Sequence, residues 1–125
     1  MLSFKIPQNT EKIHWTKHSI SKMKQYSLSE SRVKRVLRFP ERIEEGIAPG
    51  TIAMMQRAGS KKRPYEIWVM FAILSLKSNS KVQNKRKKLI ISCWKYPGIS
   101  PKGREIPIPE ELKEEIQIEL KRLKL

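Results

Sequence analysis

Apolar residues recur with a helical period in the first third of the chain. Two segments before Pro40, residues 16–26 and 29–39, carry apolar side chains three or four positions apart. This spacing places them on one helix face. Thr16 and Ser29 are residue types that cap helix N-termini, and the residue before a proline avoids the α region. We therefore predict two short helices, the second ending before Pro40.

After Pro40 the apolar residues form short runs rich in β-branched and aromatic side chains, which is typical of strands. The predicted strands are Ile43, 51–57, 65–76 and 89–94. The run at 65–76 is apolar nearly throughout, so we place it at the centre of a sheet. Residues 77–88 carry six cations and no acid. They are predicted to form a solvated loop between the last two strands.

The ends of the chain complete the predicted fold. Residues 109–125 have a helical apolar stripe, a proline suited to position N1, and glutamates before lysines in the order that opposes the helix dipole. Residues 1–15 are an extended N-terminal extension. We predict one domain, residues 1–125, of the α+β class. Its two N-terminal helices pack on a twisted antiparallel sheet of about four strands, and a C-terminal helix follows.

The charge balance points to a polyanionic partner. The chain has 27 Lys and Arg against 12 acids, a net charge of +15. Such a field attracts RNA or another nucleic acid; the alternative is a general lysine bias in composition. The N-terminus lacks a signal-peptide pattern, and no apolar run reaches transmembrane length. We therefore expect a cytoplasmic protein without a membrane partner.

Metal chemistry is not expected. All twelve acids are glutamates, and they do not form the carboxylate clusters that metal nucleases use. The single cysteine, Cys93, lies in an apolar run and reads as a buried, inert thiol. Together with two histidines four residues apart it does not make a zinc site. We predict no metal and no cofactor.

Metal-independent RNA cleavage needs a base, an acid and cations around one phosphate. The candidate catalytic residues are His18, Arg63, Tyr65 and Tyr96. His18 is the best candidate base because imidazole titrates near neutrality. The alternative is a structural role, in which its ring bonds a backbone carbonyl and pins its helix to the sheet.

Cationic residues cluster along the chain as candidate phosphate ligands. On the second helix Arg32, Lys34, Arg35 and Arg38 lie away from the apolar stripe, where they can contact phosphates or an acidic partner protein. The predicted nucleic-acid-binding residues are Lys22, Arg35, Arg57, Lys61, Lys62, Lys85, Arg86, Lys87, Lys88, Lys95 and Arg104.

The helical segment also carries a motif, T-x-H-[small]-x-x-[RK]-M, then a turn, then V-x-x-[VL]-L-x-x-P. It resembles a small prokaryotic domain family of unknown function that is grouped near the RelE/ParE and BrnT-like toxins. The matching residues are Thr16, His18, Ser19, Lys22, Met23, Leu28, Ser29, Val33, Val36, Leu37 and Pro40. Where that family prefers a Glu-Arg-Gly run, this chain has residues 25–27. A serine at Ser27 is tolerated if its φ is not positive.

The resemblance implies a RelE-like fold. It also implies a toxin-type, metal-independent endoribonuclease of a toxin–antitoxin-like system, held inactive by an acidic antitoxin-like protein. Two alternatives remain open on the same fold. One is a noncatalytic nucleic-acid-binding module, and the other is a protein-interaction domain that binds an acidic partner.

Overall fold

The computed structural model of the protein describes residues 4–76, 85–103 and 105–125. These residues form three helices and five strands, which confirms the predicted α+β class. In chain order the elements are β1 (Ile13–Trp15), α1 (Lys17–Gln25), α2 (Glu30–Arg38), β2 (Arg42–Glu45), β3 (Thr51–Gly59), β4 (Pro64–Leu76), β5 (Lys85–Pro97) and α3 (Glu110–Arg122).

The strands form one mixed sheet in the order β1-β5-β4-β3-β2. Strands β2 to β5 are antiparallel, as expected, and β4 is central. The fifth strand, β1, comes from the N-terminal extension and runs parallel to β5, with Ile13 opposite Lys88 and Trp15 opposite Ile90. A three-residue strand is too short to show a period of two, so the sequence pattern did not predict it.

Strand β5 is longer than the sequence pattern predicted. It begins at Lys85, so four residues of the predicted loop 77–88 belong to the sheet. Lysine and arginine are depleted in strands, and this composition favoured a loop. Pairing with the apolar β4 outweighs that local preference. The rest of that loop, residues 77–84, lies outside the described residues, as does Arg104.

Both predicted N-caps are confirmed. The Thr16 hydroxyl oxygen accepts a hydrogen bond from the Ser19 N–H at 3.1 Å, and Ser29 accepts one from the Arg32 N–H at 3.1 Å. Thr16 also donates to the carbonyl of Ile90 at 2.7 Å, so the start of α1 is fixed to β5. Pro109 lies one position earlier than predicted, at the N-cap of α3 rather than at N1.

Helix α1 ends in a Schellman motif. The Leu28 N–H donates to the Met23 carbonyl at 2.8 Å, and the Ser27 N–H donates to the Lys24 carbonyl at 3.3 Å. This motif requires a left-handed residue after the C-cap, and Ser27 has φ of 55°. The serine therefore adopts the conformation that favours glycine, so the condition under which a serine would be tolerated here without strain is not met.

The two faces of the sheet are covered by different helices. On one, the α2 face, Val33, Val36 and Leu37 pack with Ile67 and Phe71. On the other, the α3 face, the predicted stripe of α3 packs on a layer of side chains from β3, β4 and β5 that includes the stacked rings of Trp68 and Trp94. Helix α1 contacts mainly β5. It follows β1 directly in the chain and lies along the same outer edge of β5, where the pairing of β1 ends.

A polar network is buried on the α3 face. Glu66, which is fully buried, accepts hydrogen bonds from Trp68 Nε1 at 3.0 Å and from Ser100 N at 3.0 Å. The Ser100 hydroxyl donates to Glu66 at 2.6 Å and accepts from Arg42 Nη1 at 2.7 Å. The Arg42 guanidinium also lies 5.1 Å from the centroid of the Trp68 ring. These contacts fix the chain after β5 to the sheet.

Helices α1, α2 and α3 are all too short or too polar to cross a membrane, and no other helix occurs within the described parts of the chain.

Candidate nucleic-acid interface

A cavity of about 680 Å³ opens on the α2 face, between α2 and the neighbouring strands β1, β5 and β4. We call it the basic groove. It is lined by Thr10, Lys12, Ile13, Lys34, Leu37, Arg38, Ile73, Arg86 and Lys88.

The floor of the basic groove is set by strand register. Ile13, Lys88 and Ile73 lie side by side on β1, β5 and β4. Directly opposite residues of neighbouring strands point to the same face, so these three side chains form one row. The ammonium of Lys88 lies 5.3 Å from the centroid of the buried Phe71 ring. Ile73 is 42% exposed, so its apolar side chain is open to solvent at the floor of the groove.

One rim of the basic groove is the exposed side of α2. Lys34 and Arg38 lie four residues apart on the helix, with the side chain of Leu37 buried between them and the sheet. The (i, i+4) spacing places the two cations on the same side of the helix. Lys34 also forms an ion pair with Glu30 at 3.2 Å, which aligns its side chain along the helix.

The opposite rim comes from β5 and from the turn that precedes β1. The Thr10 hydroxyl accepts hydrogen bonds from the N–H groups of Lys12 and Ile13, both at 3.2 Å. The Lys88 N–H donates to the Lys12 carbonyl at 2.9 Å and ties this turn to β5. Lys12 and Arg86 are both exposed beside the floor.

The basic groove is strongly electropositive. Five of its nine lining residues are Lys or Arg, and no acid is among the described residues that line it. Cations gathered around a concave surface concentrate the field and attract polyanions. A second cavity, of about 620 Å³, has the opposite character because Glu44, Glu45 and Glu105 line it with a single cation. Of these two cavities, the basic groove is the one suited to phosphate.

Two predicted nucleic-acid-binding residues, Arg86 and Lys88, lie in the basic groove together with Lys34 and Arg38 of the second helix. Lys87 alternates to the other face of β5, opposite Leu74. The predictions omitted Lys12, because its position depends on the pairing of β1 with β5. No sequence signal other than its charge marks it. Lys85 is the first residue of β5, and its side chain lies outside the described ones.

Four predicted site residues, Arg57, Tyr65, Lys95 and Tyr96, lie at the other end of the sheet; we call them, with Lys61, Lys62 and Arg63, the second patch, and it is divided between the two faces. On the α2 face, Lys95 Nζ lies 5.2 Å from the centroid of the Tyr65 ring. Tyr96 and Arg57 are each opposite Glu66, on the α3 face. The strands' alternation causes this division, since Tyr65 and Tyr96 occupy positions of different parity in the paired register.

The remaining residues of this patch are solvent-exposed cations. Lys61, Lys62 and Arg63 lie in the turn between β3 and β4, where the Arg63 N–H donates to Ser60 Oγ at 3.1 Å. Arg35 is exposed on α2. Neither group lines the basic groove or the cavity beside Glu44 and Glu105.

His18 lies at the junction of α1, β5 and α3. Its Nε2 is 3.1 Å from the hydroxyl of the buried Ser92, and its Nδ1 is 4.0 Å from Glu115 Oε2. Burial lowers the pKa of His18, against an opposing effect of Glu119 and Glu115. The imidazole is therefore neutral at pH 7. The geometry favours the structural alternative for His18, with a serine hydroxyl as the ring's partner in place of a backbone carbonyl.

Lys22 lies in the same junction. It is 7% exposed, and its ammonium pairs with Glu115 of α3 and donates to Gln25 Oε1 at 2.7 Å. A lysine that is buried and paired cannot exchange its partner for phosphate without breaking the α1–α3 contact. Its position does not support the predicted role in nucleic-acid binding.

Within the described residues, no three or more His, Cys or Glu side chains are grouped so as to hold a metal ion. The chain matches no protein-family model, no curated protein and no solved structure.

Proposed function

We propose that the protein binds nucleic acid, and RNA in particular, by holding the phosphate backbone in the basic groove. One observation carries the proposal: five cations from three separate parts of the chain surround one cavity. Lysine and arginine that neutralise phosphates release condensed counterions, and this supplies most of the affinity in non-specific binding. The net charge of +15 adds attraction at long range.

Binding without cleavage is the form that the described residues support best. A cleavage site needs a base, an acid and a cation around a single phosphate. The candidates are dispersed, since His18 lies at the edge of the sheet while Tyr65 and Tyr96 belong to its opposite faces. None of these three side chains lines the basic groove.

A toxin-type endoribonuclease on a RelE-like fold is the second proposal. It draws on the motif in 16–40 and on the order of elements, two helices followed by the antiparallel strands β2 to β5. The Lys95 ammonium lies over the ring of Tyr65, which brings a cation beside one of the candidate catalytic side chains. An acidic antitoxin-like partner belongs to the same proposal, and the basic groove is the surface that would attract it.

Equilibrium binding of labelled single-stranded RNA over a series of salt concentrations tests the main proposal. At about 0.7 counterions per contact, five contacts give a slope of log Kd against log salt of about 3.5. The double substitution Arg86→Gln and Lys88→Gln should weaken binding and lower that slope by about 1.4. The matched control is Lys102→Gln, which removes an exposed cation outside the basic groove.

If the double variant keeps the affinity and salt slope of the unmodified protein, the basic groove is not the site. Gel analysis of the same RNA, incubated in the presence of a chelator, tests the second proposal. Intact RNA is expected from a binding module, and defined fragments from a metal-independent endoribonuclease. If an acidic protein displaces RNA from the chain, and binds the chain equally well when no RNA is present, the result would favour the protein-interaction domain.

A further inference from the structure

The floor of the basic groove carries a feature that phosphate binding does not use. Ile13 and Ile73 flank Lys88 in its row of side chains, and Leu37 of α2 adds apolar surface beside that row. Phosphates are fully hydrated anions and gain nothing from contact with isoleucine. Ile73 nonetheless remains 42% exposed on a central strand. A ligand that matches the groove must therefore combine negative charge with apolar surface.

The arrangement of charge around this floor limits further which kind of nucleic acid matches the groove. Cations stand on both sides of it, Lys34 and Arg38 on α2 and Lys12 and Arg86 across the floor. A nucleic-acid duplex keeps its bases stacked inside and offers phosphates and groove edges to a protein. Its base faces cannot reach a recessed apolar floor. A single strand can turn its unstacked bases towards the protein while its phosphates remain at the rims.

We propose that the basic groove holds a segment of single-stranded nucleic acid, with phosphates on its cationic rims and base faces on the floor formed by Ile13, Leu37 and Ile73. The proposal rests on the proposed function and specifies its substrate class. A cavity of about 680 Å³ has the size of a site for a small ligand, so it admits a short segment and not a folded helix.

Sequence preference at this site is weak. The lining residues that the structure describes include no aromatic side chain and no carboxylate, so they offer neither a stacking platform nor a carboxylate acceptor for base donors. The lysines and arginines donate to phosphates irrespective of the base. Apolar contact with a base face is equally tolerant, since every base has such a face.

The first test compares three ligands at one salt concentration. They are a labelled single strand of mixed sequence, the duplex made by annealing it with its complement, and inorganic polyphosphate as a competitor that has charge but no bases. The single strand is expected to bind most tightly. Ribose and deoxyribose versions of the strand separate the two possible sources of the same chemistry. Equal binding of duplex and single strand would overturn the proposal.

The second test changes the floor without changing charge. Ile73→Thr removes apolar surface and retains a β-branched side chain suited to a strand. It should weaken single-strand binding about fivefold and leave polyphosphate binding unchanged. Ile73→Val should restore most of the affinity. Ile43→Thr is the matched control, because Ile43 is 60% exposed on β2, away from the groove. Thermal unfolding of each variant verifies that the fold is retained.

The outcomes separate this inference from the proposed function. The double variant Arg86→Gln and Lys88→Gln could weaken binding of every polyanion while Ile73→Thr leaves the affinity for each of them unchanged. In that case the groove binds phosphate, and the proposed contact with bases is wrong. If neither change affects binding of any ligand, both proposals fail. A selective loss of single-strand affinity in Ile73→Thr supports both.

Discussion

Lys22 of α1 and Glu115 of α3 form an ion pair that joins the N-terminal and C-terminal helices at the edge of the sheet. The lysine is 7% exposed, while the glutamate side chain is 45% exposed. The pair therefore joins a buried cation to an anion that remains in contact with water. The Lys22 ammonium has one further partner, the side-chain oxygen of Gln25 at 2.7 Å.

Replacing Glu115 should destabilise the fold. Glu115→Gln leaves the Lys22 ammonium buried against neutral groups, and we expect the free energy of unfolding to fall by about 1–2 kcal/mol, less than for a fully buried pair because Glu115 is partly solvated. Urea denaturation measures the change. The control is Glu114→Gln, at an exposed neighbouring position, with an expected change below about 0.5 kcal/mol. Equal effects of the two substitutions would contradict a stabilising role for the pair.

The stability of the protein should fall in mild acid because of His18. Burial holds the pKa of His18 below its ordinary 6.5, so the unfolded chain binds this proton more tightly than the folded one. The contribution of His18 is complete above about pH 6.5 and is lost as the pH falls from there through the folded pKa. Urea denaturation at a series of pH values should show this slope.

His18→Gln isolates that effect. Glutamine retains a polar group near the hydroxyl of Ser92 but has no proton to bind in this range. The slope between about pH 6.5 and pH 5 should become flatter in this variant. The same substitution at His14, on β1, serves as the control. An unchanged pH profile in His18→Gln would mean that this imidazole does not couple to folding.

Ser27→Gly should stabilise the protein. Ser27 closes α1 with φ of 55°, a conformation that costs a residue with a Cβ about 1–2 kcal/mol and costs glycine little. Part of this gain is offset by the greater entropy of glycine in the unfolded chain, so we expect a net increase of about 0.5–1 kcal/mol. Thermal unfolding measures it.

The matched control is Ser21→Gly, in the middle of the same helix and exposed to solvent. There the substitution should destabilise by about 0.5 kcal/mol, because glycine is the poorer helix former. Opposite signs at the two positions are the expected result. A loss of stability at Ser27 would show that the serine side chain contributes more than its backbone strain costs.

Cys93 should be unreactive in the folded protein. Burial raises the pKa of the Cys93 thiol to about 12, despite an opposing effect of Lys22. At neutral pH the sulfur is protonated and has no contact with solvent. A thiol-specific reagent should modify it only after denaturant is added. Ser31→Cys provides a positive control, since Ser31 is exposed on α2. Rapid modification of native Cys93 would reveal an opening of the α1–β5 contact.

The buried hydroxyl of Ser100 should contribute more to the free energy of unfolding than an exposed serine hydroxyl does. It accepts from Arg42 and donates to Glu66, so Ser100→Ala breaks both links between two buried charged groups. We expect a loss of about 1–3 kcal/mol in the free energy of unfolding. Ser60→Ala removes an exposed hydrogen bond to Arg63 and should cost below about 0.5 kcal/mol. Similar values for both serines would contradict the network.

The elements that local sequence determines were predictable. Thr16 and Ser29 cap their helices through side chains acting within three residues, so a short window of sequence contains the whole interaction. Tyr65 and Tyr96 were both predicted to be catalytic residues, and each lies near the end of a predicted strand. Their separation depends on which face each one occupies, and that in turn depends on the register between β4 and β5.

The parts that could not be predicted depend on distant pairings. Lys12 joins the basic groove only because β1 aligns beside β5, more than seventy residues later in the chain. Arg42, Glu66 and Ser100 come from three separate segments and share no sequence pattern. Composition predicted the strong positive charge, whereas its concentration in one cavity follows from the three-dimensional fold.

The parallel pairing of β1 with β5 also determines when the basic groove can form during synthesis. Trp15 pairs with Ile90, so this pairing cannot form until residue 90 has been translated. The N-terminal segment therefore remains unpaired during most of the synthesis of the chain. A nascent chain thus exposes many cations but has no completed groove. Truncated translation products would retain much of the positive charge while lacking the shaped cavity of the finished protein.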